Sequence, residues 1–311
     1  MTKLKPGATP PGALPYREAR AIAHDGDATA RRDLACRADT RPEILYYLAD
    51  DRSADVRREI ARNMSTPGQA DLRLASDEDD EVRCELARKV ARLVPELSPA
   101  DAARLRDLAL AALEVLAKDQ LPRVRAILAE ELKRSPDAPR AVILALAHDL
   151  ETIVSCPILE YSPLLSDHDL LEIVAKGAVD ERLCAIARRE EVSAEVAEAV
   201  VATLEVPALS VLLANAGARI RDDTMDRIVE CAEGAAALHE PLVMRAELSV
   251  RAIRRIADFV AAALVDLLCR RQNVDEATET AIRRQVRQRL KDAPLSADEN
   301  DPAARARALH A

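Results

Sequence analysis

The stretch LADDRSADVRREIARNMST, Leu48–Thr66, decides the fold, because the same pattern stands on either side of it in one register. IAHDGDATARRDLACRADT begins at Ile22, 26 residues earlier, and LASDEDDEVRCELARKVAR begins at Leu74, 26 residues later. Each copy carries an apolar–Ala pair, an acid (Asp25, Asp51, Asp77), a polar turn, an arginine (Arg31, Arg57, Arg83), a second acid (Asp33, Glu59, Glu85) and another apolar–Ala pair. Self-similarity at a fixed period marks a repeat architecture. A fourth copy, LAKDQLPRVRAILAEEL, starts at Leu116, 42 residues further on. The added residues include LSPADAARLRDLALAAL, which predicts a longer first helix in that unit. LAHDLETIVSCPIL from Leu146 is a fifth copy, and fainter ones follow in LLEIVAKGAVDERLCAIARR and VPALSVLLANAGARI.

Each unit reads as helix, turn, helix. Apolar residues recur at helical spacing on both sides of the turn, and acids suited to N-caps (Asp55, Asp80, Glu81) sit before Val56 and Val82. Breaks with Pro, Ser or Thr separate the units: ADTRPE, MSTPGQ, KRSPDAP, EYSPLLSDHD. A helix pair of this size cannot bury its apolar side alone, so neighbours must stack. Composition agrees, with aromatics at 2% and no Trp in 311 residues, since a sheet protein would be richer in aromatic and β-branched side chains. The expected fold is all-α, a HEAT-like helical-repeat solenoid with a C-terminal helical cap. Residues 16–248 are read as the repeat domain and 249–291 as basic helices packing on the last repeat. Residues 1–15 and 292–311 are read as disordered ends, since APLSADENDPAARARALHA and the Pro-rich start hold little that could be buried.

The recurring acid and arginine are the first candidates for chemistry. An Asp closing the first helix and an Arg opening the second can pair within a unit or with the next one. Stacking then turns Asp25, Asp51, Asp77 and Asp119, with Arg31, Arg57, Arg83 and Arg125, into a structural ladder; the competing reading is a charged binding stripe. Residues present in every unit more often serve the packing of the unit, which favours the ladder. The acid pairs Asp50–Asp51 and Asp79–Asp80 are adjacent in turns, with nothing to bury and tune them.

Other reactive constellations are missing from the pattern. The five histidines lack HExxH spacing, the six cysteines form no CxxC pair, and no Gly-rich phosphate loop occurs. His24 and His148 share a slot held elsewhere by Asp50, Ser76 and Lys118, which reads as solvated. Cys84, Cys156 and Cys184 share a slot with Ala126, which reads as a place for a small buried side chain. No catalytic, metal or cofactor site is expected. With no disulfide framework, no apolar leader and no span-length apolar run, the expected setting is the cytoplasm, away from membranes.

At these residues the chain also resembles known families. The repeats from Ile22 to Leu132 resemble leucine-rich repeat variants, a HEAT-like class with the pattern L-A-x-D, turn, V-R. ILEYSPLLSDHDLLEIVAKG and LLANAGARI resemble the bacterial family catalogued as domain of unknown function 2336, known mainly from alphaproteobacteria. That resemblance covers most of Arg41 to Leu290; it implies a helical-repeat protein and brings no catalytic residues with it. Physically, Pro163 must lie outside a helix, Ser166 or Asp167 can cap the next one with Leu164–Leu165 as a staple, and Gly217 can take a left-handed C-cap.

Charge is uneven along the chain. Net charge is −9, yet Ser249–Lys291 holds ten Lys and Arg against five acids. SVRAIRRIADFVAAALVDLLCRR reads as one long amphipathic helix, and ATETAIRRQVRQRL after it presents Arg283, Arg284, Arg287 and Arg289 as candidate partner-binding residues. The expected function is a non-enzymatic scaffold or adaptor that binds a protein or peptide along the concave face of the solenoid, with a homodimer through the C-terminal helices as one form of it. The alternative is nucleic-acid binding, which needs Arg31, Arg57, Arg83 and Arg125 unpaired on one face beside the basic helices; the net charge opposes it.

Overall fold

A computed structural model describes residues 14–96, 103–246, 248–272 and 276–292. The stretches read as disordered ends lie almost wholly outside these. Every regular element among the described residues is helical, with nineteen α-helices and one short 3-10 turn. The chain divides into two compact units between Glu190 and Glu191, inside the span read as one repeat domain.

The first unit holds α1 (Tyr16–Asp25), α2 (Ala28–Cys36), α3 (Pro42–Leu48), α4 (Ala54–Arg62), α5 (Gly68–Leu74), α6 (Asp80–Glu96), α7 (Ala103–Leu116), α8 (Pro122–Leu132), α9 (Arg140–Ala147), α10 (Thr152–Tyr161), α11 (Asp167–Ala175) and α12 (Asp180–Ala187). The second helices of the pairs, α2, α4, α6, α8, α10 and α12, pack each on the next; on the other side α1, α3, α5 and α7 do the same. The insertion before the fourth copy lengthens both α6 and α7, to 17 and 14 residues.

The core repeats with the sequence. Leu48, Leu74, Leu116 and Leu146 hold one slot, Val56, Val82, Val124 and Val154 the next, Ile60, Leu86, Leu128 and Ile158 a third, and all are buried. Removing a Val, Leu or Ile side chain from water gains about 1.5–3 kcal/mol, so these three slots supply one continuous spine. Turns obey local chemistry. Pro42 and Pro122 occupy first turns, where the missing N–H is no loss. Ser166 caps α11 in a reciprocal box with Asp169, and Leu165 is buried behind it. The N-caps of α4 and α6 fall earlier than the sequence suggests. α4 starts at Ala54, and for α6 it is Asp79, not Asp80, that accepts the Val82 N–H.

One slot breaks the apolar rule. Asp71 stands where Leu45 and Leu113 stand in neighbouring copies, and it is buried with Lys89 at 2.5 Å, their side chains 5% and 3% exposed. The Lys89 ammonium also donates to the Asn63 carbonyl at the end of α4. Burial pushes the Asp71 carboxyl up to about 6 against the pull of Lys89, and burial lowers the Lys89 ammonium.

The second unit holds α13 (Ala194–Ala202), α14 (Val206–Ala214), α15 (Asp222–Glu233), a 3-10 turn at Ala236–Leu238, α16 (His239–Met244), α17 (Val250–Phe259), α18 (Ala262–Arg271) and α19 (Glu276–Asp292). Here α13, α15, α17 and α19 pack in series, and α14, α16 and α18 form the other row. The single long helix read over Ser249–Arg271 is two helices, broken at Val260–Ala261 with both residues extended. No Pro or Gly marks the break. Packing sets it: α17 joins the α15 row, α18 joins the α16 row, and Arg289 on α19 donates to the freed carbonyls of Ala257 and Val260. The left-handed glycine is Gly177, not Gly217. Gly177 (φ 87°) and Ala178 donate to Val174 and Ile173 and close α11 as a Schellman motif. Gly217 instead accepts from the Val192 N–H in a short parallel bridge.

Lys89→Met leaves Asp71 as a buried unpaired acid and is expected to cost about 3–5 kcal/mol in urea unfolding, while Asp71→Leu with Lys89→Met recovers most of that loss. A double variant no more stable than the single one contradicts this account. The carboxyl's raised pKa also fixes a sign. The folded chain holds this proton more tightly than the unfolded chain, so the Asp71 contribution is fully present below pH 3.8 and is lost as pH rises through about 6. Wild type is expected to lose stability relative to Asp71→Asn between pH 4 and pH 7, measured by urea melts.

Candidate functional site

The repeated arginines and aspartates join successive units. Arg31 lies on α2, Arg57 on α4, Arg83 on α6 and Arg125 on α8, each in the first or second turn and aimed along the edge where the inter-helix turns stack. Arg31 Nε and Nη2 donate to both Asp51 oxygens at 2.6 and 3.0 Å, and Arg57 does the same to Asp77 at 2.7 and 3.0 Å. Arg83 binds Asp119 at 2.6 and 3.4 Å, and Arg125 binds Asp149 at 2.5 and 3.1 Å. The remaining arm of each guanidinium holds a turn carbonyl of its own unit: Gly26, Asp51, Asp77 and Asp119. Each aspartate in turn accepts a backbone N–H two residues on, from Ser53, Asp79, Leu121 and Glu151. Every rung therefore ties the turn of one repeat to the turn of the next through fork-to-fork geometry.

Electrostatics follow. Burial works to raise Asp51 and Asp149, but Arg31 with the Ser53 N–H, and Arg125 with the Glu151 N–H, outweigh it and hold both carboxyls below the usual Asp value. Hydrogen bonds to the aspartates raise the four arginines against the opposing effect of burial. Asp25 does not join the ladder. No repeat precedes it among the described residues to send it an arginine, and it is exposed and meets His24 at 2.8 Å. The ladder stops at the other end where Ser155 occupies the arginine slot and bonds within its own helix.

A second set of links escaped the sequence reading because its spacing is irregular. A side chain from one repeat holds open carbonyls at the helix end of the previous one. Asn63 serves Ala35 and Arg37, and Arg189 serves Leu159 and Ser162. Arg245 serves Leu213, Asn215 and Ala218, and Arg289 serves Ala257 and Val260. These groups satisfy the last carbonyls that every helix leaves open. Arg289 is thus a structural residue, not a free contact. Arg283 pairs with Glu279 and Asp266. Arg284 and Arg287 are exposed and meet no partner among the described residues.

The second helices carry further ion pairs between neighbours: Arg62–Glu85, Arg92–Glu131, Arg123–Glu81 and Arg188–Glu160. In the small-residue slot Cys84 and Cys184 are buried and Cys156 half-buried, and burial raises the Cys84 and Cys156 thiols. Both stay protonated near neutrality and are poor nucleophiles. Among the described residues no three His, Cys, Asp or Glu side chains gather as a metal site, and no helix is long and apolar enough to cross a membrane.

Two hollows lie one repeat apart on the turn edge. One of about 410 Å³ is lined by His24, Tyr46, Tyr47, Asp50 and Arg52 beside the Arg31–Asp51 rung. The other, of about 310 Å³, is lined by Asp50, Arg73, Ser76 and Glu78 beside the Arg57–Asp77 rung. Three of the chain's four tyrosines are exposed here and on α1: Tyr16, Tyr46 and Tyr47 at 42%, 46% and 55%.

Fold and linkage together define a helical-repeat protein whose repeating charges are absorbed by its own stacking. A family model described as "Uncharacterised protein conserved in bacteria (DUF2336)" matches residues 154–311, just over half of the chain, and the chain belongs to that family. The match is narrower at its start than the resemblance from Arg41 suggests, so the four-rung ladder lies ahead of it. No curated protein matches the chain.

Arg57→Ala is expected to cost about 2–4 kcal/mol in urea unfolding, because it strands a buried acid and opens a turn carbonyl. Arg57→Lys keeps the charge but not the fork and should fall between. Equal stability of Arg57→Lys and wild type would deny the fork its role. The depressed Asp51 and Asp149 carboxyls contribute stability that is present above pH 3.8 and lost as pH falls through their lower folded values.

Proposed function

We propose that this protein is a non-enzymatic, cytoplasmic scaffold that needs no cofactor and holds a protein or peptide partner against its helical stack. The observation that carries this reading is the contrast between repeating and non-repeating residues. The repeating charges are consumed in rungs and carbonyl contacts, while the exposed tyrosines and the two hollows beside the rungs are left for a partner. Tyrosine offers large, rigid contact area with a polar tip and is enriched where interfaces concentrate their binding energy. Hollows spaced by one repeat suit an extended segment that runs along the turn edge. The concave face expected from the sequence is the poorer seat if the second helices form it, because a partner there must displace ion pairs already made between neighbours.

Nucleic-acid binding has less support. It requires the ladder arginines unpaired, and all four are bound to aspartates and carbonyls. What favours it is the exposed pair Arg284 and Arg287 on α19. A homodimer through the same helix is a special case of partner binding.

Crosslinking the full chain in lysate of its native host is expected to capture a specific protein, and Tyr46→Ser with Tyr47→Ser is expected to cut that capture severalfold while leaving the urea midpoint unchanged. Failure to capture any specific protein, together with retardation of DNA or RNA at low salt, would reverse the order of the two readings.

A further inference from the structure

The second unit holds a half-open cleft of about 1060 Å³ bordered by α14, α15 and α16. Its wall includes Ala216, Ala218, Arg219 and Ile220, the LLANAGARI segment whose sequence pattern stood out without a function. The cleft lies wholly within the family-matched residues.

Among the described residues four arginines line it, Arg219, Arg221, Arg245 and Arg271, against two acids, Asp222 and Glu240, in a chain whose net charge is −9. They are not equivalent. Arg245 is fixed by carbonyls of Leu213, Asn215 and Ala218, so its charge stays under the cleft as part of the frame. Arg221 reaches Glu195 and Glu198 at 3.2 and 3.3 Å, both half-exposed acids that another anion can replace. Arg271 donates to the Met244 carbonyl, and among the described residues no carboxylate pairs with it. Arg219 has no side-chain partner among the described residues, yet its backbone is pinned: its N–H donates to Val192 and its neighbour Ala218 bridges the same residue. A cation held on a fixed backbone and left unneutralised is a prepared contact for an incoming acid.

The rest of the wall is soft and aliphatic, with Ile220, Met225, Pro241 and Met244. Methionine and isoleucine adapt to aliphatic side chains. No aromatic ring lines the cleft, so nothing stacks a nucleobase. We propose that this cleft binds an acidic peptide segment of a partner protein, its carboxylates on Arg219, Arg271 and Arg221 and an aliphatic residue between Met225 and Met244. The assignment deepens the partner-binding reading and rests on it; the charge complementarity of the cleft chooses the occupant.

The test is fluorescence anisotropy on the full chain with a short fluorescein-labelled peptide in which Glu alternates with Leu, and a Gln–Leu peptide as the neutral control. The Glu–Leu peptide is expected to bind more tightly, and Arg219→Glu with Arg271→Glu should weaken it about tenfold or more. Arg284→Glu on α19 should leave it unchanged. Arg219 makes no side-chain bond, so its reversal alone keeps the assignment testable if the double variant loses structure. Equal binding of the two peptides, or binding unaffected by the cleft variants, overturns the assignment. So does displacement by pyrophosphate where sulfate at equal ionic strength has no effect, which would mark a small phosphate ligand instead. If the crosslinked partner is still captured by a chain whose cleft binds no peptide, the cleft assignment fails and the scaffold reading stands.

Discussion

Everything in the first unit hangs on a guanidinium that does three things at once. Each ladder arginine grips both oxygens of an aspartate in the next repeat and a carbonyl in its own turn, while the aspartate takes an N–H from its own turn. Apolar packing of one repeat on the next leaves a spread of about 15–20° around each preferred stacking angle. The fork sets that angle. Desolvating such a pair is expensive, so its net stabilisation is modest, but breaking it is costly, which makes the wrong register worse than the right one. Specificity of stacking, more than raw stability, is what the rungs contribute.

The buried Asp71–Lys89 pair extends the same logic inward. It sits between α5 and α6 of one repeat and reaches the end of α4 in the one before, so a core that is mostly a spine of aliphatic side chains carries an ionic, directional contact there. In the second unit the direction comes from carbonyl-binding side chains in place of carboxylates. Arg245 and Arg289 close helix ends a repeat behind them, as Arg189 does near the end of the first unit, so arginine serves the same end against carboxylates in the ladder and against carbonyls beyond it.

How much of this could be read from the chain depends on periodicity. The ladder was legible because Asp51, Arg57, Asp77 and Arg83 recur at constant offset and the apolar slots keep step with them. Which way each arginine reaches was not, because a constant offset fits a bond to the acid six residues before it as well as one to the acid in the next copy. The break at Val260–Ala261 was hidden: the apolar run of α17 and α18 continues through it, and only packing of two rows ends the helix. Arg289 looked like a surface cation because helical spacing says nothing of a carbonyl 32 residues away in the chain. Gly217 misled in the opposite direction, since a glycine after a helix suggests a left-handed cap, while Asn215 and the bridge to Val192 already end α14 there. The cleft was invisible for a plainer reason, as its wall is drawn from five α-helices, the 3-10 turn and the loops between them, and the 26-residue spacing of Arg219, Arg245 and Arg271 does not show that they border one hollow.

The rungs also bear on how such a chain can change length. Arg31 meets Asp51, 20 residues on, and Arg83 meets Asp119, 36 residues on, so what lies between is free to vary while the two ends of a rung are not. Loss of one whole repeat brings the arginine before it against the aspartate after it, and the rung reforms. Loss of half a repeat leaves a buried arginine or aspartate with nothing to hold. Deletion and duplication are therefore tolerated in whole repeats or inside the loops, and the protein can gain or shed reach only in steps the ladder can close.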